Sequence, residues 1–232
     1  MLYLHEVHRV KGLRAHEFSA RYTEWMGILG KTDYARLIWY ADHAHGTGPS
    51  YQVISYTAIT DAKAWEVLAW RLQRGDLQSW LRGLDELRHD VTSKLLVPLH
   101  WSPIQEINLQ EVPIDGRLHE RTLVMEDTGW PSVPLDDYTN YWDAGYYRQM
   151  TQGKFWYEVT ASFQPAFGTG LRPEALLWQR LFDNGKLMEL YAEGDETSEK
   201  SPTPGSFIEQ ALQYRDQWVS KLLRFAPWSP LY

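Results

Sequence analysis

Ser93-Lys94-Leu95-Leu96-Val97-Pro98-Leu99-His100-Trp101-Ser102-Pro103, in the middle of the chain, returns near its end as Ser220-Lys221-Leu222-Leu223-Arg224-Phe225-Ala226-Pro227-Trp228-Ser229-Pro230. The Ser-Lys-Leu-Leu and Trp-Ser-Pro parts keep the same internal spacing. Upstream of each, a second echo occurs in the same order, Gly46-Thr47-Gly48 and then Gly168-Thr169-Gly170. Two echoes in one order read as two copies of one unit, and a repeated unit sets the architecture before any motif does.

Working outward, each half predicts the same run of elements. Leu2–Arg9 reads as a strand, and Phe18, Tyr22, Trp25, Met26 and Leu29 recur at helical spacing. Ala35–Ala44 and Ser50–Ile59 read as strands joined by the Gly46-Thr47-Gly48-Pro49 turn. A helical stretch broken at Gly75-Asp76 runs from Trp65 to Val91, and a strand closes the half around Leu95–Trp101. The second half gives a strand at Thr122–Thr128, a helix carrying Tyr138, Tyr141, Trp142, Gly145, Tyr146 and Met150, and strands at Phe155–Phe163 and Ala175–Phe182. Its last helix is expected to start at Ser206, in a capping box with Glu209, and to carry Ile208, Arg215, Trp218, Val219 and Leu222. Glu193–Gly205 reads as a surface loop.

The order β-α-β-β-α-β is the ferredoxin-like unit, whose antiparallel sheet has helices on one face only. Two such units cover each other by facing their sheets together, giving an α+β barrel with helices outside. The expected bounds are 1–104 for the first unit, 105–118 for a linker and 119–232 for the second.

Composition narrows the function classes. The 232 residues hold 23 Lys+Arg against 30 Asp+Glu, a net charge of −7, with no Lys/Arg cluster to track phosphates, so nucleic acid is excluded as a partner. Mean hydropathy of −0.47 and the lack of an apolar run near 18 residues predict a chain without a membrane span. No signal peptide is read at the N-terminus, and zero cysteine removes disulfides, thiolate catalysis and Cys-ligated metals. A cytoplasmic protein is expected, possible as a homo-oligomer. The 12 Trp, 14 Tyr and 7 Phe fall mostly at helix–sheet core spacing, with Trp39, Tyr40, Tyr56, Trp156 and Trp178 on strands that could wall a cavity for flat hydrophobic ligands.

Tyr3-Leu4-His5-Glu6-Val7-His8-Arg9 before an amphipathic helix, a strand ending in a Gly-rich turn, and Ser55-Tyr56 leading into Asp61-Ala62-Lys63-Ala64-Trp65 resemble the NIPSNAP-like branch of the dimeric α+β barrel superfamily. That superfamily also holds EthD-like proteins and small cofactor-independent monooxygenases. The resemblance covers the whole chain as two tandem copies. It implies a barrel whose cavity takes an aromatic or polyketide-like molecule, with reactions ranging over monooxygenases, lyases, decarboxylases and haem proteins, among which fold cannot choose.

Strand alternation gives a candidate pocket. Carrying the register of the second half onto the first by the Gly-Thr-Gly echo, and pairing Glu6 with Glu126, places Glu6, His8, Arg36, Tyr40, Asp42, Tyr56, Glu126, Glu158, Trp178 and Arg180 on cavity faces. A carboxylate or imidazole in such a barrel suits acid–base work. Glu6, Glu126 or Asp42 would be the base, His8 its proton partner, Arg36 or Arg180 the group holding an anionic oxygen, and Tyr40, Tyr56 and Trp178 the walls. The competing reading is a structural ion-pair network. The leading expectation is a lyase or cofactor-independent monooxygenase acting on a small hydrophobic molecule with no cofactor. One alternative is a metal-dependent lyase or hydrolase, since His43 and His45 point to one side of a strand and could join His5 or His8 and Glu6 around a divalent metal. Another is a non-catalytic binder of haem, with His100 as the iron ligand, or of a hydrophobic metabolite. His16 and His89 are expected on helices in solvent.

Overall fold

A computed structural model describes residues 1–152, 155–192, 204–205 and 207–232. Ser206 and residues 193–203 of the expected loop lie outside the described residues. No described helix is long and apolar enough to cross a membrane.

The chain divides into two compact units, one formed by Met1–Val97, Gln105–Thr122 and Leu222–Tyr232, the other by Pro98–Ile104 and Leu123–Lys221. These bounds differ from the expected 1–104, 105–118 and 119–232. Residues 105–118 belong to unit one, and the segment after each unit's last strand belongs to the other unit.

Unit one runs β1 (Leu2–Val10), α1 (Ala15–Gly30), β2 (Ala35–His43), β3 (Gln52–Ile59), α2 (Ala62–Gln73), α3 (Gln78–Asp85) and β4 (Arg88–Pro98). Its sheet has the antiparallel order β4-β1-β3-β2. Helix α1 forms because its apolar residues share one stripe: Phe18, Tyr22, Trp25, Met26 and Leu29 are all buried, against Leu4, Leu37, Val53 and Ile59 of the sheet. Helix α2 starts where the Asp61 side chain accepts a hydrogen bond from the Ala64 amide at 2.8 Å.

Unit two runs β5 (Leu123–Pro131), α4 (Leu135–Trp142), a π-helical turn at Asp143–Tyr147, α5 (Arg148–Gln152), β6 (Tyr157–Pro165), β7 (Ala175–Leu181), α6 (Asn184–Ala192), α7 (Phe207–Ala211) and the first part of β8 (Arg215–Phe225), whose residues from Leu222 onward belong to unit one. Strand β7 lies antiparallel between β5 and β6. Tyr138 and Trp142 of α4 pack on Val159, Ala175 and Leu177. Both units are thus ferredoxin-like, and the fold is the α+β barrel class that the sequence implied.

The final helix is a correction. Arg215, Trp218, Val219 and Leu222 sit at helical spacing yet lie in strand β8. The end of that strand pairs with β2, Ala41 opposite Phe225, Asp42 opposite Arg224 and His43 opposite Leu223. Pairing with an existing sheet overrides a weak local period. His89 likewise lies in β4, not on a helix.

The two echoes mark equivalent structures. Gly46 and Gly168 both adopt φ of 82°, a left-handed turn that glycine enters without steric cost. The Thr47 and Thr169 amides donate to the carbonyls of Ala44 and Ala166, each at 3.0 Å. The Trp-Ser-Pro segments dock in the same manner, each in the unit it does not follow in sequence. In unit two the Leu99 amide donates to the Ser162 carbonyl at 2.9 Å, and the Ser162 amide donates to Ser102 Oγ at 2.9 Å. In unit one the Ala226 amide donates to the Tyr40 carbonyl at 3.0 Å, and the Tyr40 amide donates to Ser229 Oγ at 3.1 Å.

Candidate active site

Register decides which predicted residues meet. Strand β2 has a bulge between Leu37 and Trp39, opposite Thr57 and Tyr56. A bulge inserts one residue and so switches the side on which later residues point. The helix-facing side of unit one therefore carries Glu6, His8, Leu37, Tyr40, Asp42, Val53 and Ser55, while Arg36 and Tyr56 lie on the other side. Arg36 shares a face with Tyr56 as expected, and the expectation that Tyr40 and Asp42 do so too is corrected by that bulge. Unit two has the matching bulge between Val159 and Ala161. There Glu126, Trp178, Arg180 and Glu158 do share one side, as their mutual pairing shows, and it is the side away from α4. The residue equivalent to Glu6 is Asp127, not Glu126, because Glu6 opposes Ser55 and Asp127 opposes Leu177 at the same place in the ladder.

On the helix-facing side of unit one lies a cavity of about 760 Å³. Tyr40, Asp42, His43 and His45 all line it, which corrects the expectation that Tyr40 and Asp42 face a barrel cavity on the side away from the helices. Its other walls come from α1 through His16, Ser19 and Thr23, from the β2–β3 turn, and from Arg121 and the 224–228 segment. His16 is exposed on α1, as expected, and borders this cavity. Rings of Tyr40 and Trp228 stand 4.6 Å apart, and the Trp228 indole donates to Ser19 Oγ at 3.2 Å. Arg224 Nη2 donates to Asp42 Oδ2 at 2.7 Å, with both side chains about one-third exposed. Tyr51, at the rim, has a left-handed φ of 59°, uncommon for a bulky residue.

His43 is built into the wall. Its Nε2 donates to Gln52 Oε1 at 2.8 Å, and its Nδ1 lies against Gly48, where an added Cβ would stand 2.1 Å away. His45 is exposed. Among the described residues no group of three or more His, Asp or Glu side chains is placed to hold a metal ion, so the third ligand that His43 and His45 required is not brought to them. His100 is exposed on the turn after β4 and lines neither cavity, so it does not fit the haem-ligand expectation.

Glu6 and His8 lie outside the cavity, in a buried hydrogen-bonded chain. Arg88 is fixed by Asp85, its Nε donating at 2.9 Å, and its Nη1 lies 2.8 Å from His8 Nδ1. A guanidinium only donates, so Nδ1 accepts and the proton of the neutral ring sits on Nε2. That Nε2–H donates to Tyr22 Oη at 2.6 Å, and Tyr22 in turn donates to Glu6 Oε2 at 3.2 Å, with Ser55 Oγ at 3.1 Å. Burial first, then Arg88 and His5, holds His8 well below the usual imidazole range. Burial pushes the Glu6 carboxyl up, against the opposing pull of Arg88, Tyr22 and Ser55. The Tyr22 ring lies 5.0 Å from Tyr40, which links this chain to the cavity wall.

The remaining predicted residues hold structure. Arg36 Nη1 donates to the carbonyls of Leu29, Thr32 and Ala35 at 2.6–2.7 Å, closing the C-terminal end of α1. Tyr56 packs edge-on to His5 and Trp39, at 4.8 and 5.2 Å. Glu126 is fully buried and pairs with Lys221. Glu158 is exposed opposite Arg180, and Trp178 is buried. Sequence reasoning missed Arg224, Trp228 and Arg88. The first two would have followed from reading 215–225 as a strand.

No family model and no curated protein matches the chain. Solved structures do. An anthrone oxidase-like protein matches with a TM-score of 0.61 at 8% identity, over 97% of this chain and 91% of its own. A protein assigned as a monooxygenase from Lactobacillus acidophilus matches at 0.58 and 8% identity, over 99% and 97%. A mutant chlorite dismutase from Candidatus Nitrospira defluvii matches at 0.50 and 7%, over 97% and 91%. The chain shares with them the ferredoxin-like α+β fold, as the resemblance implied.

Proposed function

We propose that the protein is an enzyme that takes a small, flat, hydrophobic molecule into the unit-one cavity and removes a proton from it. The observation that carries this reading is the Asp42–Arg224 pair set in a cavity of about 760 Å³ with aromatic walls, within the range of roughly 300–1,000 Å³ that small-molecule sites occupy. Tyr40 and Trp228 offer a face for an aromatic ring. Asp42 takes the proton from a carbon or hydroxyl activated by a neighbouring carbonyl. From a carbon acid the electron pair moves onto the carbonyl oxygen, from a hydroxyl it stays on that oxygen, and the Arg224 guanidinium stabilises the resulting enolate or phenolate. This step begins a lyase reaction, and it equally prepares a carbanion for attack on molecular oxygen without a cofactor.

The test is deuterium exchange into a panel of aromatic ketones and phenols, headed by anthrones because a structural neighbour bears that name. Wild-type protein is expected to accelerate exchange of at least one member. Asp42→Asn is expected to lower kcat/KM for it by about 10² or more, and Arg224→Met to weaken it less. A panel that neither binds nor exchanges, or an Asp42→Asn variant with full activity, would overturn the reading.

A further inference from the structure

Among the described residues, the wall of the unit-one cavity carries two guanidiniums, Arg121 and Arg224, and a single carboxylate, Asp42. Arg224 is matched to that carboxylate at 2.7 Å. Arg121 is exposed and has no hydrogen bond or ion pair to another described residue. The other polar side chains on the wall, among them His16, Ser19, Thr23 and Ser50, bring no negative charge. The cavity is therefore left with one unmatched positive charge in a chain whose net charge is −7. The charge of the whole chain repels anions, and the wall of this cavity reverses that sign locally.

Backbone pairing sets where that charge stands. The Ala226 amide donates to the Tyr40 carbonyl at 3.0 Å, whereas the Phe225 amide donates to the Thr122 carbonyl at 3.1 Å. Successive amides of an extended segment point to opposite sides, so residues 224–226 run between β2 and the segment that carries Arg121. Two strand spacings, roughly 10 Å, separate the backbones of Asp42 and Arg121. An acid group on Arg121 therefore lies beyond the Asp42–Arg224 pair, clear of the carboxylate. We propose that the molecule taken into this cavity is an anion, an aromatic compound bearing a carboxylate that Arg121 binds while the ring rests on Tyr40 and Trp228. The inference rests on the reading of this cavity as the substrate site. A guanidinium presents paired N–H donors that match the two oxygens of a carboxylate, and a volume of about 760 Å³ leaves room for several fused rings beside it.

The probes are a matched pair, anthrone and anthrone-2-carboxylate, titrated without oxygen at neutral pH and constant ionic strength, with tryptophan fluorescence reporting Kd and deuterium exchange followed in the same samples. Wild-type protein is expected to bind the carboxylate about tenfold more tightly than anthrone, the scale of one charge-assisted hydrogen bond. Arg121→Gln is expected to bring the two within about twofold of each other, since Arg224 is already engaged by Asp42. Arg121→Lys, which keeps the charge, is expected to restore part of the preference. Equal affinities in the wild type, or a preference that survives in Arg121→Gln, would overturn this inference and leave proton removal by Asp42 standing. A preference that depends on Arg121, found without any deuterium exchange, would support the carboxylate site and overturn the proton removal. Binding of neither probe would overturn both.

Discussion

Trp101 follows strand β4 of unit one in sequence, yet its packing belongs to unit two, and Trp101→Ala reads out that difference. The side chain is 9% exposed, its indole donates to the Thr139 carbonyl at 3.1 Å, and its ring stacks on Tyr147 at 5.1 Å. Removing a buried tryptophan costs about 3–5 kcal/mol. In a protein of this length that lowers the unfolding midpoint by roughly 2–4 °C per kcal/mol, so a drop of about 6–20 °C is expected. The location is the sharper test. Native-state hydrogen exchange should lose protection first at the amides of α4 and of β6 near Ser162, while β1, which pairs with Trp101's own preceding strand β4, keeps its protection. Loss confined to β1–β4, or an unchanged midpoint, would refute the assignment of 98–104 to unit two.

Two further outcomes follow from the buried chain in unit one. Tyr22→Phe removes the nearest acceptor of the His8 Nε2–H, leaving it only Ser55 Oγ at 3.3 Å, and removes a donor to Glu6; a poorly partnered buried polar group costs about 1–3 kcal/mol, so urea unfolding should show a loss of about that size, and a loss near zero would mean the chain does not form. Glu6, raised by burial, binds its proton more tightly folded than unfolded. Its contribution to stability is therefore complete below the usual value of 4.5 and falls as pH rises through the folded value. Glu6→Gln should remove that fall, gaining relative to wild type above pH 4.5 by at most about 1.4 kcal/mol per pH unit. Parallel wild-type and variant curves between pH 4.5 and 7 would sink the argument.

Periodicity and the echoes were enough to read both β-α-β-β-α-β units, because buried stripes such as Phe18-Tyr22-Trp25-Leu29 obey a single local rule. The site was legible only where that rule also held. Tyr40 and Asp42 reached the same cavity as His43 and His45 because they follow the bulge in β2 together, whereas Arg36 precedes it and was carried to the opposite face. A one-residue insertion leaves no mark in composition, so alternation alone cannot find it. Arg224 and Trp228 were hidden for a different reason. Their strand carries Arg215, Trp218 and Leu222 at a helical period, and only pairing with Asp42 and His43 decides the matter.

That pairing also determines what the C-terminal segment is for. Arg224 supplies the guanidinium beside Asp42, Trp228 the ring beside Tyr40, and Ser229 the acceptor for the Tyr40 amide. All three belong to unit one, although the strand that leads to them begins in unit two. The cavity wall is therefore closed by the last residues of the chain, and α1, β2 and β3 do not make the site without them. In unit two the equivalent segment, 98–104, places Ser102 and Trp101 against Ser162 and Thr139 in the same way, but none of its residues borders that unit's small cavity of about 60 Å³. That cavity lies instead where unit one has its buried chain: Asp127 opposes Leu177 as Glu6 opposes Ser55, and Gly129 stands at the place of His8. One docking geometry thus serves both units, while a missing side chain at Gly129 leaves a small void where unit one is filled by an imidazole.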